Sequence, residues 1–321
     1  MRKSKSRHLV VGLVGLALLA WPVWSGPLQL VPLGRAAAQD TAAESGAASP
    51  KSVVEPLGFP APRGEVIFEH HWSQGDIPLA YAEPGAGASA PRFAAKNKFR
   101  IVNPAGRFIV VTDPASGQED LDILVTREDD ARFAHHHTEI EVHIPKHWAK
   151  GRFLIPGERY LLEVWRRNID YKPDERWEVW SQNHSMYDSK LEAARNPSIA
   201  IDGGGGGINT LSIRSDSNPI SFKDDRGKWS FSRQDTYPIG ANTSDVWELW
   251  QMEVVYDHES GALHLWRNGE LVHSEEGKPV GYNDQLGPPW QLGWYKYFSA
   301  VPTAERHALI GPLRVQLLTS P

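Results

Sequence analysis

The sequence predicts an all-β fold, a two-sheet sandwich with a concave, solvent-filled groove on one face. Three observations predict it. Short runs of alternating apolar and polar residues recur along the chain, separated by turn residues. No stretch carries a convincing amphipathic helical period, and the most helix-like piece, Ser189 to Arg195, is short. The strands are half-polar yet still alternate, as in a sheet with one packed face and one wet one. Many such strands joined by short turns make a sandwich.

The ends bound the folded part. Arg2, Lys3, Lys5 and Arg7 precede an apolar run from Leu9 to Trp24, and Ala36-Ala37-Ala38 before Gln39-Asp40 is a small-residue cleavage site. Residues 1–38 therefore read as a signal peptide, which implies a secreted or periplasmic protein with no stable membrane insertion after cleavage. Residues 39–62, rich in Ala, Ser, Gly and Pro, read as a flexible linker. The remainder, 63–321, reads as one β-domain, monomeric, with the folded part expected to begin near Gly64. The chain of 321 residues has no cysteine, so disulfides and thiolate metal sites are excluded and the core must suffice alone. Net charge is −5 with histidine neutral, which argues against a nucleic-acid partner. An anionic glycan is compatible, because a local basic strip in a groove outweighs the global sign. Thirteen Trp, nine Tyr and ten Phe supply both core and flat platforms for sugar rings.

The strands follow in order. Phe99 to Val102 and Phe108 to Thr112 alternate, with a Pro-Ala-Gly turn between them. Thr138-Glu139-Ile140-Glu141-Val142-His143-Ile144 is two-faced, with Thr138, Ile140, Val142 and Ile144 inward and His137, Glu139, Glu141 and His143 on the polar face. Arg159 to Arg167 is another strand. Arg166 and Arg167 point to opposite sides, and Arg166 is the one assigned to the groove. Gly203 to Gly207 lacks the Lys-Ser/Thr and helix of a phosphate loop and reads as a flexible loop beside the groove. Trp247 to Tyr256 and Leu263 to Trp266 form a hairpin. Arg267-Asn268-Gly269-Glu270 is an Asn-Gly turn into the next strand.

Two alternating stretches carry the chemistry. In Trp177-Glu178-Val179-Trp180-Ser181-Gln182-Asn183-His184, simple alternation puts Glu178, Trp180, Gln182 and His184 on one face. In Leu292-Gly293-Trp294-Tyr295-Lys296-Tyr297-Phe298, Tyr295 and Tyr297 share a face with Lys296 beside them. An amide, an imidazole and a phenol on one sheet face suit proton abstraction beside a carboxylate, followed by loss of a leaving group. The carboxylate must be hydrogen-bonded to stabilise the enolate-like intermediate, a base must take the C5 proton and an acid must protonate O4. Gln182 is the candidate donor to the carboxylate and His184 the candidate base. Tyr295 is the candidate acid, or both base and acid when Lys296 perturbs it. Lys296, Glu139, His137, Trp180, Arg166 and Tyr297 are the candidate substrate-binding residues.

The order His137-Thr138-Glu139, Gln182-Asn183-His184, Gly293-Trp294-Tyr295-Lys296 resembles that of jelly-roll polysaccharide lyases of the concanavalin A-like superfamily, the group of the alginate lyases, heparin lyase I and the glucuronan lyases. The stretch Trp247 to Lys296, with its Leu-His-Leu-Trp-Arg-Asn-Gly hairpin and Gly281-Tyr282-Asn283-Asp284, is similar to the C-terminal half of the heparin-lyase-I-like group. The resemblance covers roughly residues 64–317 and implies cleavage of an acidic, uronic acid-containing polysaccharide by β-elimination. Two departures stand out. His137 replaces the family arginine that helps hold the substrate carboxylate, and the Tyr-Phe-Lys-Ala of the alginate lyases is absent, which disfavours alginate.

Other classes compete. A non-catalytic glycan-binding module of this fold needs aromatics but no acid and base. A glycoside hydrolase would use Glu139 and Glu141, which alternate about 6–7 Å apart on a strand. His135-His136-His137 lacks zinc spacing, since adjacent residues on a strand face opposite ways. No metal and no cofactor are expected, a structural calcium apart.

Overall fold

The computed structural model describes residues 57–82, 93–102, 106–126, 135–144, 154–173, 177–184, 196–204, 206–216, 231–284, 287–297 and 305–319, all within one compact unit, Val53–Pro321. The expected signal peptide, the linker up to residue 56 and the short helix at 189–195 lie outside the described residues.

Among the described residues, sixteen strands form the fold. In chain order they are β1 Glu65–His70, β2 Phe93–Ala94, β3 Phe99–Val102, β4 Arg107–Thr112, β5 Glu119–Val125, β6 His135–Val142, β7 Arg159–Asn168 and β8 Glu178–Asn183. Then come β9 Ile199–Gly204, β10 Ile208–Asp216, β11 Arg233–Ala241, β12 Trp247–Val255, β13 Asp257–Arg267, β14 Glu270–Tyr282, β15 Trp290–Tyr297 and β16 Arg306–Leu318. Among the described residues the remaining element is a 3₁₀ turn at Leu79–Tyr81.

The strands make two layers. The front sheet runs β2-β3-β6-β15-β8-β9-β10, with β11 also on β10. The back sheet runs β14-β13-β12-β7-β16-β5-β4, with β1 also on β16. The layers join where Ser215 and Asp216 pair in parallel with Gly281 and Tyr282. This is the two-sheet all-β architecture that the alternation predicts.

The core is the space between the layers. The front sheet contributes Phe99, Ile101, Ile140, Val142, Ile199, Ile201, Leu211, Ile213, Trp290 and Leu292. The back sheet contributes Tyr160, Leu162, Val164, Met252, Val254, Leu263, Leu265, Leu313 and Val315. Each fully buried large side chain contributes roughly 1.5–3 kcal/mol, which is how a chain without disulfides holds two layers together.

Several local expectations meet their structure here. Asn268 and Gly269 have φ of 53° and 80°, the mirror-image turn that closes β13 onto β14. The stretches 99–102 and 107–112 are not partners. β3 pairs with β6 in the front sheet and β4 with β5 in the back sheet, and most of the expected Pro-Ala-Gly turn lies outside the described residues. The five glycines are only partly loop, because Gly203 and Gly204 belong to β9. Gly203 lies opposite Glu178, and a Cβ there would come within 2.8 Å of the Glu178 carboxylate. The last residues of the expected linker are packed: Leu57 is buried, and the carbonyls of Gly58 and Pro60 accept hydrogen bonds from Trp165 and Arg314.

Candidate active site

The candidate residues gather on the outward side of the front sheet, and a bulge decides which of them arrive there. Val179 pairs with Asp202 and Ser181 with Ile201, so β8 carries one residue more than β9 at Trp180. On its other edge, Tyr295 pairs with Val179 and Leu292 with Ser181. Cross-strand partners share a face. Alternation is therefore reset at Trp180: Glu178, Trp180, Ser181 and Asn183 take the inward register, and Val179 and Gln182 the outward one. The expected single face of Glu178, Trp180, Gln182 and His184 does not exist, because a bulge shifts every later side chain by one step.

Two assigned substrate contacts are corrected by this geometry. Trp180 is a core residue, 1% exposed, packed edge-on against Trp250 with ring centroids 5.2 Å apart. Arg166 follows Tyr160, Leu162 and Val164 on the inward register of β7. It is 2% exposed, in the layer between the sheets. It belongs to the back sheet, so neither it nor Arg167 can face a groove on the front one. Arg167 binds Asp113 instead.

The outward face carries a continuous polar row. Arg100, Glu141, Gln291 and Gln182 are successive cross-strand partners on β3, β6, β15 and β8. The Gln182 amide donates to both oxygens of Glu139, at 2.8 and 3.0 Å, and to Oε1 of Gln291 at 3.1 Å. Gln291 passes its own amide to Glu141 at 3.0 Å, and Nε2 of His143 lies 2.8 Å from the other oxygen of Glu141. Arg100 completes the row as an ion pair with Glu141 at 3.5 Å. Burial pushes the Glu141 carboxyl upward, but hydrogen bonds from His143 and Gln291 and the charge of Arg100 outweigh it and hold the group below its usual range. The expected polar set Glu139, Glu141 and His143 is thus on one face, opposite Thr138, Ile140 and Val142.

Further along β15 the row opens. Gly293 lies opposite Glu139 with φ of +146°, and a Cβ there would stand 2.2 Å from the Thr138 carbonyl oxygen, so β6 and β15 approach closely only because this position is glycine. Tyr295 follows on the outward register. Its ring meets that of Trp177, itself 42% exposed, at 5.8 Å. His137 is its direct partner on β6. Beyond Val179 on the same row stands Asp202, which accepts from Ser212 at 2.8 Å and is pushed up to about 6 by burial.

His184 is the first residue past β8 and half-buried. It stands five residues along from Val179, the partner of Tyr295, so the strands separate the two by about 16 Å. The structure brings Gln182 together with Glu139, and Tyr295 with Trp177, but it does not bring His184 and Tyr295 together. Lys296 and Tyr297 are placed by backbone register alone, opposite His136 and His135.

Gln291, Arg100 and Asp202 were missed by the sequence reading. Gln291 had a signal, since Gln291, Gly293 and Tyr295 alternate on one strand. Arg100 and Asp202 had none, because their membership depends on which strands become neighbours.

Residues 92–309 match the family described as polysaccharide lyase. No curated protein matches the chain in sequence. Among solved structures it is similar to an endo-β-1,4-glucuronan lyase from the fungus Trichoderma reesei, with a TM-score of 0.52 and 13% identity over 66% of this chain and 87% of that one. It is also similar to an alginate lyase of polysaccharide lyase family 7, with a TM-score of 0.41 and 11% identity over 65% of this chain and 81% of that one. A botulinum neurotoxin binding domain gives a TM-score of 0.40 and 10% identity over 68% of this chain and 42% of that one. The first of these speaks to the fold, a jelly-roll sandwich, and the family match spans well over half of the sequence: the chain belongs to the polysaccharide lyase family.

Proposed function

We propose that this protein cleaves a uronic acid-containing polysaccharide by β-elimination on the outward face of its front sheet, with Tyr295 at the reacting centre. The observation that carries the reading is the arrangement along β15. A phenol beside an indole platform stands two residues from a glycine and four from an amide–carboxylate row, all on one register.

The parts divide the work. Trp177 offers a flat, half-open ring on which a pyranose can lie. Tyr295 takes the C5 proton as phenolate and returns it to O4 as the C4–O bond breaks. The distance to His184 favours this single-residue route over a His184 base with a Tyr295 acid. One hydroxyl can serve both atoms only when the C5 proton and O4 lie on the same side of the ring, so polymers with that stereochemistry are the expected substrates. Gln182 already shares its amide protons between Glu139 and Gln291, so an incoming carboxylate takes its place in the row by exchanging with one of these acceptors. His137, opposite Tyr295 in register, stands where a cation is wanted for that carboxylate.

The test is incubation with a panel of uronic acid polymers, reading the ultraviolet absorbance of the conjugated 4,5-unsaturated end alongside reducing ends. Both signals should rise together. Reducing ends without the chromophore would mean hydrolysis, and binding without either signal would mean a glycan-binding module.

A further inference from the structure

Behind the bulge lies a second cluster that the proposed elimination does not use. The guanidinium of Arg166 is packed against two indoles, 4.5 Å from the ring of Trp180 and 4.6 Å from that of Trp294. All three side chains are at most 2% exposed. Trp180 is the extra residue of β8 and Trp294 the inward neighbour of Gly293 and Tyr295, so the cluster lies directly under the outward face.

Its charges do not balance. Three guanidiniums, Arg166, Arg267 and Arg306, stand with two carboxylates, Glu248 and Glu178, whose fields both reach Arg166. Arg267 closes on Glu248, which also accepts from the Trp250 indole at 3.2 Å. Arg306 closes on Glu178. Each of these two carboxylates closes on its own arginine, and among the described residues Arg166 is the cation of the three without a hydrogen-bonded carboxylate. Its hydrogen bonds do not balance either. Nε and Nη2 of Arg166 and the indole nitrogens of Trp180 and Trp294 have no acceptor among the described residues. Buried donors are almost always paired, and a buried charge without a counter-charge is costly. Burial pushes Arg166 down to about 10. The indole faces offset part of that cost, but they accept none of the N–H bonds.

We propose that this cluster binds one monovalent anion of the halide class, chloride in particular, between the sheets. The unmatched guanidinium supplies the charge and the two indole N–H groups supply further donors. A halide is small, spherical and acceptor-only, so it takes N–H bonds arriving from divergent directions. A carboxylate or phosphate is larger and far more strongly hydrated. The bound ion ties β7 to the bulged strands β8 and β15, and so to the backbone that presents Gln182 and Tyr295. The inference does not depend on the proposed elimination.

The experiment uses the full chain at fixed ionic strength, with chloride replaced stepwise by gluconate. The unfolding midpoint should rise with chloride and saturate, as for a ligand that binds the native state alone. Crystals soaked in bromide should show an anomalous peak among Arg166, Trp180 and Trp294. Trp294→Phe keeps most of the packing and removes one donor, and it should weaken the chloride response several-fold; Arg166→Met should abolish it. An Arg166→Met protein that fails to fold leaves the peak and the Trp294→Phe titration to decide. Equal midpoints in chloride and gluconate, a response that follows ionic strength for every anion alike, or an anomalous map with no peak in this cluster would each overturn the proposal.

Discussion

The two outward faces of the sandwich are both polar, and they are built differently. On the back sheet the central carboxylate, Glu163, receives the Arg314 guanidinium, with Nη2 at 2.9 Å, together with the amides of Gln316 at 2.7 Å and Gln251 at 2.9 Å. Glu253 beside it is held by Arg63 and Arg159, each at 2.6 Å. On the front sheet, Glu139 is met by an amide, and Glu141 by an amide and an imidazole with its guanidinium only at 3.5 Å. A paired arginine stays charged near neutral pH and locks a carboxylate bidentately. Amides are neutral donors that can pass from one carboxylate acceptor to another, and an imidazole titrates. One face is closed by guanidinium pairs, and the other carries amide and imidazole bonds beside a longer ion pair. On the proposed reading, this difference separates a structural polar face from the one that receives an anionic sugar.

The sharpest way to break that contrast is at Tyr295. Replacing it with Phe keeps the ring against Trp177 and removes only the hydroxyl. On the proposed reading kcat and kcat/KM fall together by about 10²–10⁴-fold, with glycan affinity little changed, since the proton transfers exist mainly in the transition state. His184→Ala, some 16 Å along the strands, should lose far less. If His184→Ala is the dead variant and Tyr295→Phe retains turnover, the reacting centre lies at the other end of the row.

The back face should show the opposite behaviour. Glu163→Gln leaves Arg314, 4% exposed, without its counter-charge, and breaking a buried pair from one side costs about 3–5 kcal/mol. Denaturant unfolding should show that loss while turnover per folded molecule stays at the wild-type level. Gln182→Ala on the front face takes the amide from Glu139 and should cost less stability, about 1–3 kcal/mol, together with most of the activity. A Glu163→Gln protein with impaired turnover but normal stability would erase the distinction between the faces.

Much of this was legible in the sequence, and the failures lie in relations between strands. The all-β class, the inward set Thr138, Ile140 and Val142, and the Asn268-Gly269 turn follow from local period and local backbone chemistry, and the structure repeats them. The opposite facing of Arg166 and Arg167 was equally legible. What one strand cannot reveal is which layer it joins. Arg166 shares its strand face with Tyr160, Leu162 and Val164, and the groove-side sheet is the other one. Trp180 failed for a different reason: a bulge is a relation between two strands and leaves no mark on the alternation of one. Gln182 reached the outward face only because the same bulge shifted it there. The row linking Arg100, Glu141, Gln291 and Gln182 needed four strands in a set order, β3-β6-β15-β8, in which sequence neighbours are not sheet neighbours.

The smallest effect tests the exception on the back sheet. Asp120, on the outward register of β5 opposite Val111, is fully buried, and neither of its oxygens has a hydrogen-bond partner among the described residues. Burial, then the nearby charge of Asp113, pushes its carboxyl up to about 7, with Arg167 opposing only in part. Asp113 is itself spoken for: it accepts from Arg167, the Trp247 indole and the amides of Ala115 and Ser116. The sign is the reverse of the usual aspartate. Between the ordinary aspartate value of 3.8 and about 7 the folded chain holds a proton that the unfolded chain has released, so stability falls as pH rises through that window and levels off above it. One such group contributes a slope of at most about 1.4 kcal/mol per pH unit. Asp120→Asn stays neutral throughout. It should match the wild type near pH 4 and exceed it above pH 7, measured by urea unfolding at a series of pH values. A wild type that instead gains on Asp120→Asn as pH rises would mean that Asp120 is ionised and paired like Glu163, and identical profiles would mean that burial does not shift it at all.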